Sequence, residues 1–419
     1  MAKEWSRRSF VAALAAAGSL TLAACSGDGG AQKTEAVSSG AAASGAADEK
    51  QGKHTIGVAV YNVADSEVMM FYQYLVDYIA KVCFNDVRFV YSSSITSEEE
   101  LIGFIDDVAA LGGEGLLSFY NIDLAAEVAR CAEHGMYHIV ASGTVSDEDF
   151  AKVVDNEYFL GAIGPMIQME YMAGANMVTN FIAKKTGNRY FIMSGGAGVG
   201  NEMHYQRTLG MLDTLQSSYG VDLGDTKELA ASAEPVTIEN EKMSVTISPG
   251  YVSREEMRTS VVDSFGDGAG FDIVLSTISV EPVRTMLNSA DVKIAVVDCY
   301  SQDNQLLFAS GKLDYLVGKY GSLVGPSFVA MYNAITGHAD AFRDNGKAFQ
   351  IVQNFWASDS AADFDEKYEF ASNITMPAYN YEDLYSICCA YTPDAAFDDL
   401  RDLASKASYE DAKKRRGMA

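Results

Sequence analysis

From residue 54 onward, short apolar runs rich in β-formers alternate with longer runs of helical period, and this confines the chain to an α/β architecture. Residues 54–61 (HTIGVAVY) read as a buried strand, and 65–82 as the helix after it. Residues 87–94 (VRFVYSSS) precede a helix whose start sets Glu100 three residues after Ser97, a capping-box spacing. A strand at 115–121 leads into a helix that Gly135 stops, and strands at 137–142 and 152–156 continue the pattern. A long helix at 159–185 opens a second round, with strands at 189–194, 271–278 and 292–300 and helices near 201–219 and up to Asn288. A strand at 313–320, a helix at 321–337 and a strand at 349–356 close it.

Continuous apolar strands joined by helices form parallel sheets covered on both faces. Two rounds of four or five units predict two doubly wound lobes. The rival is a closed eight-unit barrel, into which the irregular stretch 220–252 fits poorly; that stretch reads as an insertion. A length of 419 residues with 48% hydrophobic content supplies cores for two lobes.

The N-terminus reads as an export signal. Residues 1–8 are basic, and 10–24 form an apolar run too short to span a bilayer, which takes roughly 20 residues. Ser6-Arg7-Arg8-Ser9-Phe10 resembles a twin-arginine signal, and Leu22-Ala23-Ala24-Cys25 resembles a bacterial lipobox, which makes Cys25 the lipid-bearing residue. Residues 26–53 contain no aromatic and are expected to be a flexible tether, about 30 Å end to end. The expected location is the extracytoplasmic face of a membrane, held by acyl chains.

Open parallel sheets bind ligands beyond the carboxyl ends of their strands. Tyr61, Asn62, Asp65, Asn121 and Asp298 fall at or near such ends and are candidate ligand contacts, and the family resemblance described below adds Arg207 and Tyr320. Each has a structural reading beside it: Asp65 as a helix N-cap, Asn62 and Asn121 as turn formers, Arg207 as partner to a carboxylate, and Tyr61 and Tyr320 as packing. A net charge of -26 argues against nucleic acid and disfavours anionic ligands. No G-x-S-x-G elbow occurs, the glycine run at 195–200 does not fit a dinucleotide fingerprint, and the five histidines have no metal spacing. No enzyme and no cofactor is expected. Beyond Cys25, Cys83, Cys131, Cys299, Cys388 and Cys389 leave an odd number, so at least one thiol is free or bonded between molecules. Lys413-Lys414-Arg415-Arg416 reads as a solvated basic tail rather than a lipid contact.

The order of IGVAVYNVADSE, VVDNEYFLG, QRTLG, KIAVVDCY and GKLDYLVGKYGSLVGPSFVAMYNAITG resembles the type 1 periplasmic (solute) binding proteins of the ribose/galactose-binding kind, over roughly 54–340. The resemblance implies two lobes joined by a three-crossover hinge, a small polar ligand (a sugar or sugar-like solute) held between them, and an ABC permease as partner. A sensor module for a signalling receptor, or a binder of a non-sugar solute, is the alternative. The expected limits are 1–24 for the signal, 25–53 for the tether, 54–157 plus 320–345 for lobe 1, 158–319 plus 346–385 for lobe 2, and 386–419 for a C-terminal extension. The resemblance also places Asn62, Asp65, Asn121, Arg207, Asp298 and Tyr320 at or near family contact positions. On that reading, loss of Arg207 removes binding at little cost to the empty fold. The chain departs from the pattern at Ser142-Gly143-Thr144 and Ser276-Thr277-Ile278-Ser279, where sugar binders carry acidic and Asn-Asp anchors.

Overall fold

The apolar runs at 54–60, 115–118 and 159–164 are buried along their whole length, as parallel strands covered on both faces require. The computed structural model describes residues 54–195, 202–250, 255–280 and 291–418. The signal, Cys25 and most of the tether lie outside them, as do most of the glycine run at 195–200 and the helix up to Asn288. Among the described residues the strands are, in chain order, β1 (His54–Val60), β2 (Val87–Ser94), β3 (Gly115–Ser118), β4 (Tyr137–Ala141), β5 (Phe159–Gly164), β6 (Arg189–Met193) and β7 (Val236–Glu239). After these come β8 (Ser244–Ser248), β9 (Ile273–Ser276), β10 (Lys293–Cys299), β11 (Tyr315–Lys319), β12 (Phe349–Val352) and β13 (Trp356–Ser358).

They form two sheets. The first has the order β12-β5-β4-β3-β1-β2 and is parallel throughout. The second has the order β13-β11-β10-β9-β6-β8-β7, a parallel core with an antiparallel strand on each edge. The chain passes between sheets three times: after Gly164, after Lys319, and between Val352 and Trp356. Two open sheets with three crossovers exclude the barrel.

The boundaries differ from the sequence expectation. Residues 159–164 are not the start of a helix but a strand beside β4, so the first lobe continues to the first crossover. The helix behind it is Ile167–Lys184, while Lys152 and Val153 end a helix, Asp147–Val153, rather than forming a strand. Residues 349–356 split at the third crossover, four of them returning to the first sheet as β12. The last departure has a plain cause: an apolar run does not say which sheet it joins. The stretch 220–252 is likewise more than an insertion, since Ser244–Ser248 pairs with β6 inside the second sheet.

Local signals behave as the sequence implies. Ser97 accepts from the Glu100 amide at 3.3 Å, and the Glu100 carboxylate returns to the Thr96 amide at 2.7 Å, one residue earlier than an ideal box. All five described cysteines are free and buried, acting as small apolar residues.

The pairing of β4 with β5 contains a bulge, its register shifting between His138 and Ile139. Gly161 takes φ +145° there, and a Cβ on it would come within 2.2 Å of the Phe349 carbonyl oxygen on β12. Gly161→Ala should therefore cost about 1–3 kcal/mol of unfolding free energy, measured by urea titration. A loss below about 0.5 kcal/mol, the size of an ordinary surface substitution, would show that the bulge tolerates a side chain.

Candidate functional site

The carboxyl ends of the strands in both sheets bring together the polar groups of the chain. In the first lobe, the loop after β1 carries Tyr61, Asn62 and Asp65, and the first turn of the helix after it carries Glu67. Asp65 caps the helix Ser66–Tyr72, its Oδ1 accepting from the Glu67 amide at 2.8 Å and the Val68 amide at 3.4 Å. Burial and the neighbouring Glu67 raise its carboxyl to about 6. Tyr61 lies edge-on to Tyr120 at 5.6 Å; burial, then Asp65 and Glu67, push its phenol far above the usual value.

From the second lobe comes Asp298, at the end of β10. It accepts from Asn304 Nδ2 at 2.9 Å. Burial first, then Asp65 from the opposite lobe, lifts it to about 7. Lys319, which ends β11 at the second crossover, is buried and reaches across to the first lobe. Its Nζ donates to Glu67 Oε1 at 3.1 Å and to the Ser142 carbonyl at 2.9 Å. Ser142 holds φ +65°, a strained conformation for a residue other than glycine.

Arg207 lies in the same region, and its guanidinium is heavily engaged. Nε donates to Glu170 Oε2 at 2.6 Å, Nη1 to the Thr277 carbonyl at 2.7 Å, and the group sits 5.9 Å from the Phe355 ring. Glu170 is fully buried and also accepts from Thr144 Oγ1 at 3.2 Å. His204, one helical turn before Arg207, pairs its Nδ1 with Thr277 Oγ1 at 3.0 Å. Burial, then Arg207 and Lys319, hold its imidazole well below the usual pKa and therefore neutral. Gly195 makes this packing possible: a Cβ there would lie 2.4 Å from Thr277 Oγ1 and 2.6 Å from His204 Nδ1.

Of the seven residues picked from sequence, Tyr61, Asp65 and Asp298 converge, and Arg207 adjoins them. Asn62 closes the turn after β1, accepting from the Ala64 amide at 3.0 Å. Asn121 is half-buried beyond β3 beside Tyr120. Tyr320 is the correction. Its ring is fully buried, stacks on Trp356 at 4.0 Å and donates its hydroxyl to the Ala407 carbonyl, so it belongs to the hinge. Glu170, His204 and Lys319 were missed, and Glu67 lies in the stretch 61–67 that follows the first strand without being one of the seven. A lysine ending the apolar run LDYLVGKY and a glutamate inside the apolar helix QMEYMAGANMV were the available signals, since such residues are seldom buried unless paired.

The buried hydroxyls of Ser142, Ser194 and Ser248, at the ends of β4, β6 and β8, have no partner among the described residues. Such groups are normally satisfied. Among the described residues no group of histidines, cysteines and carboxylates could hold a metal.

No family model and no curated protein matches this sequence. Solved structures match its shape. An ABC transporter solute binding protein from Bacillus halodurans C-125 with bound myo-inositol superposes with a TM-score of 0.55 at 14% identity, covering 76% of this chain and 99% of its own. A galactofuranose binding protein gives 0.55 at 10% identity, over 77% and 99%. An ABC transporter periplasmic solute binding protein from Actinobacillus succinogenes 130z with bound D-allose gives 0.55 at 12%, over 75% and 100%. The chain has the type 1 periplasmic binding protein fold. The cluster described above lies where the parallel strands of its two lobes end.

Two predictions follow from the electrostatics. Arg207→Ala does not leave the empty fold intact, because it strands the Glu170 carboxylate without a counter-ion. The expected loss is about 3–5 kcal/mol in chemical denaturation, most of it recovered when Arg207→Met is combined with Glu170→Leu. A single variant as stable as the parent would refute the pairing.

The second concerns pH. Folded values of about 6 and about 7 for Asp65 and Asp298 exceed the ordinary carboxylate value near 4, so the folded chain binds more protons than the unfolded one. Their contribution to stability is fully present below about pH 4 and is lost as pH rises through those two values. The Asp65→Asn, Asp298→Asn double variant, which keeps a good helix cap, should lose less melting temperature than the parent between pH 5 and 8. Parallel profiles would show that the two carboxyls titrate normally.

Proposed function

We propose that this protein is a solute-binding lipoprotein of an ABC importer, tethered through Cys25 at the extracytoplasmic face of a membrane. It captures a small polar solute between its lobes and presents it to a permease. One observation carries the reading: Tyr61, Asp65 and Glu67 of one lobe meet Asp298 and Lys319 of the other where both sets of strands end. Neighbouring folds solved with myo-inositol and D-allose support a polyhydroxylated guest.

The charge arrangement narrows the solute class. Lys319 is bonded to Glu67 and to a carbonyl, and Arg207 to Glu170 and to a carbonyl. Asp65 and Asp298, by contrast, accept from neutral groups. The site is therefore rich in acceptors, and it favours a solute with several hydroxyl or amine donors over an anion. Serines and threonines at Ser142-Gly143-Thr144 and Ser276-Thr277, in place of acidic anchors, favour a guest somewhat different from ribose or galactose.

Titration calorimetry of the purified protein against neutral sugars, cyclic polyols, amino sugars, nucleosides and dicarboxylates tests the reading. Binding within the first four classes, lost in Asp298→Ala, is expected. Binding of dicarboxylates alone, or a blank across the panel, would overturn it.

A further inference from the structure

Residues 373–418 lie beyond β13 and the helix Ala361–Ser372 that packs with the second lobe. Of these, 413–416 read from sequence as a solvated basic tail, but the whole segment is folded over the hinge. One end is attached to the first lobe. Tyr74 donates to the Tyr379 carbonyl at 2.8 Å, and the Tyr381 amide donates to Tyr78 Oη at 2.8 Å. Buried Asn333 donates to the Ile387 carbonyl and accepts from the Cys389 amide, both at 2.9 Å. Phe397 stacks on Phe349 of β12 at 5.4 Å.

The middle is attached to the crossovers themselves. The Ala407 carbonyl accepts from Tyr320 Oη at 3.0 Å and from Trp356 Nε1 at 2.8 Å. These residues follow the second crossover strand and open β13, so a single oxygen joins two of the three crossings. The two rings are stacked at 4.0 Å, which holds the donors side by side.

The far end reaches the second lobe. Tyr409 donates to Glu366 Oε1 at 3.0 Å, its ring lies edge-on to Phe370 at 5.5 Å, and Lys413 approaches Glu366 at 3.6 Å. The helix Tyr409–Arg415 carrying these residues is clipped back onto the extension, for Arg416 donates to the Pro377 carbonyl and to Asp383, and Arg415 lies over the Tyr379 ring.

A hinge opens by changing backbone angles at a few crossover residues. Here those residues are bonded to a segment that is also bonded to both lobes. We infer that residues 373–418 are a hinge brace that restricts how far the lobes rotate relative to one another, with the Ala407 carbonyl as its pivot. The attachment to the first lobe runs through several buried bonds, whereas the one to the second lobe centres on a single residue, Tyr409, whose hydroxyl meets Glu366 and whose ring touches Phe370, Trp356 and Lys367. That second attachment is where the brace yields.

The experiment needs no ligand. Dyes are carried on unnatural amino acids at the exposed positions Glu148 of the first lobe and Glu241 of the second, and single-molecule energy transfer reports the lobe separation. Tyr320→Phe with Trp356→Phe keeps two aromatic rings and removes both bonds to Ala407; Tyr409→Phe with Glu366→Gln weakens the far end only. Loss of one net hydrogen bond should raise the population outside the parent's main state by about five-fold in the far-end pair, and loss of two should raise it further in the Ala407 pair. Circular dichroism checks that the variants are folded. Should a pair fail to fold, Tyr320→Phe alone, which deletes one hydroxyl, gives the same readout. Transfer distributions that superpose on the parent's in folded variants would overturn the brace.

Discussion

Everything in this structure depends on three chain crossings being held in one place. Gln353, in the third crossing, is completely buried; its amide N–H donates to the Gly164 carbonyl of the first crossing at 2.9 Å, and its Nε2 donates to the Leu323 carbonyl just past the second at 3.1 Å. Bonds between buried amides act in a low dielectric, and leaving either partner unpaired there costs more than a surface bond returns. One residue, through its backbone and its side chain, thus fixes the spacing of the crossings. The direction of every strand then places the carboxyl ends of both sheets at a common boundary.

Because all the parallel strands point the same way, polar residues far apart in sequence arrive at that boundary together. Glu67 and Lys319 are separated by 252 positions and meet at 3.1 Å. Burial changes what these groups are. Asp298 at the end of a strand on the surface would be an ordinary anion; beside Asp65 and out of water it titrates near neutrality. Arg207 in solvent would be a mobile cation open to any anion. Against Glu170 and the Thr277 carbonyl it becomes part of the wall. The site consequently offers acceptors more readily than free positive charge, which is why a donor-rich guest suits it.

Much of the fold was legible because periodicity is a local property. The strand at 54–60, the Ser97 cap and the stop at Gly135 each follow from a few neighbouring residues. The errors cluster at the crossovers. Residues 159–164 and 349–352 are short apolar runs whose identity depends on a distant strand, and neither could be distinguished from helix or from second-lobe strand by pattern alone. The candidate site was legible to the extent that strand ends were: Tyr61, Asp65 and Asp298 came from that rule. Tyr320 came instead from the family resemblance and does not join the site, because its ring is taken up by Trp356 and by a C-terminal segment whose docking no local pattern foretells.

By itself, the order of residues determined that strands and helices would alternate, which residues would be buried, and where helices would begin, since these follow from backbone preferences and hydrophobic burial over a few turns. It also determined the acidity of the exterior. Tertiary structure alone decided which sheet each strand joined, which charges were neutralised by partners hundreds of positions away, and that the C-terminal extension would fold over the hinge. The reason is physical: electrostatic pairing and desolvation act through space, and a linear sequence carries no distance between residues that the fold has not yet brought together.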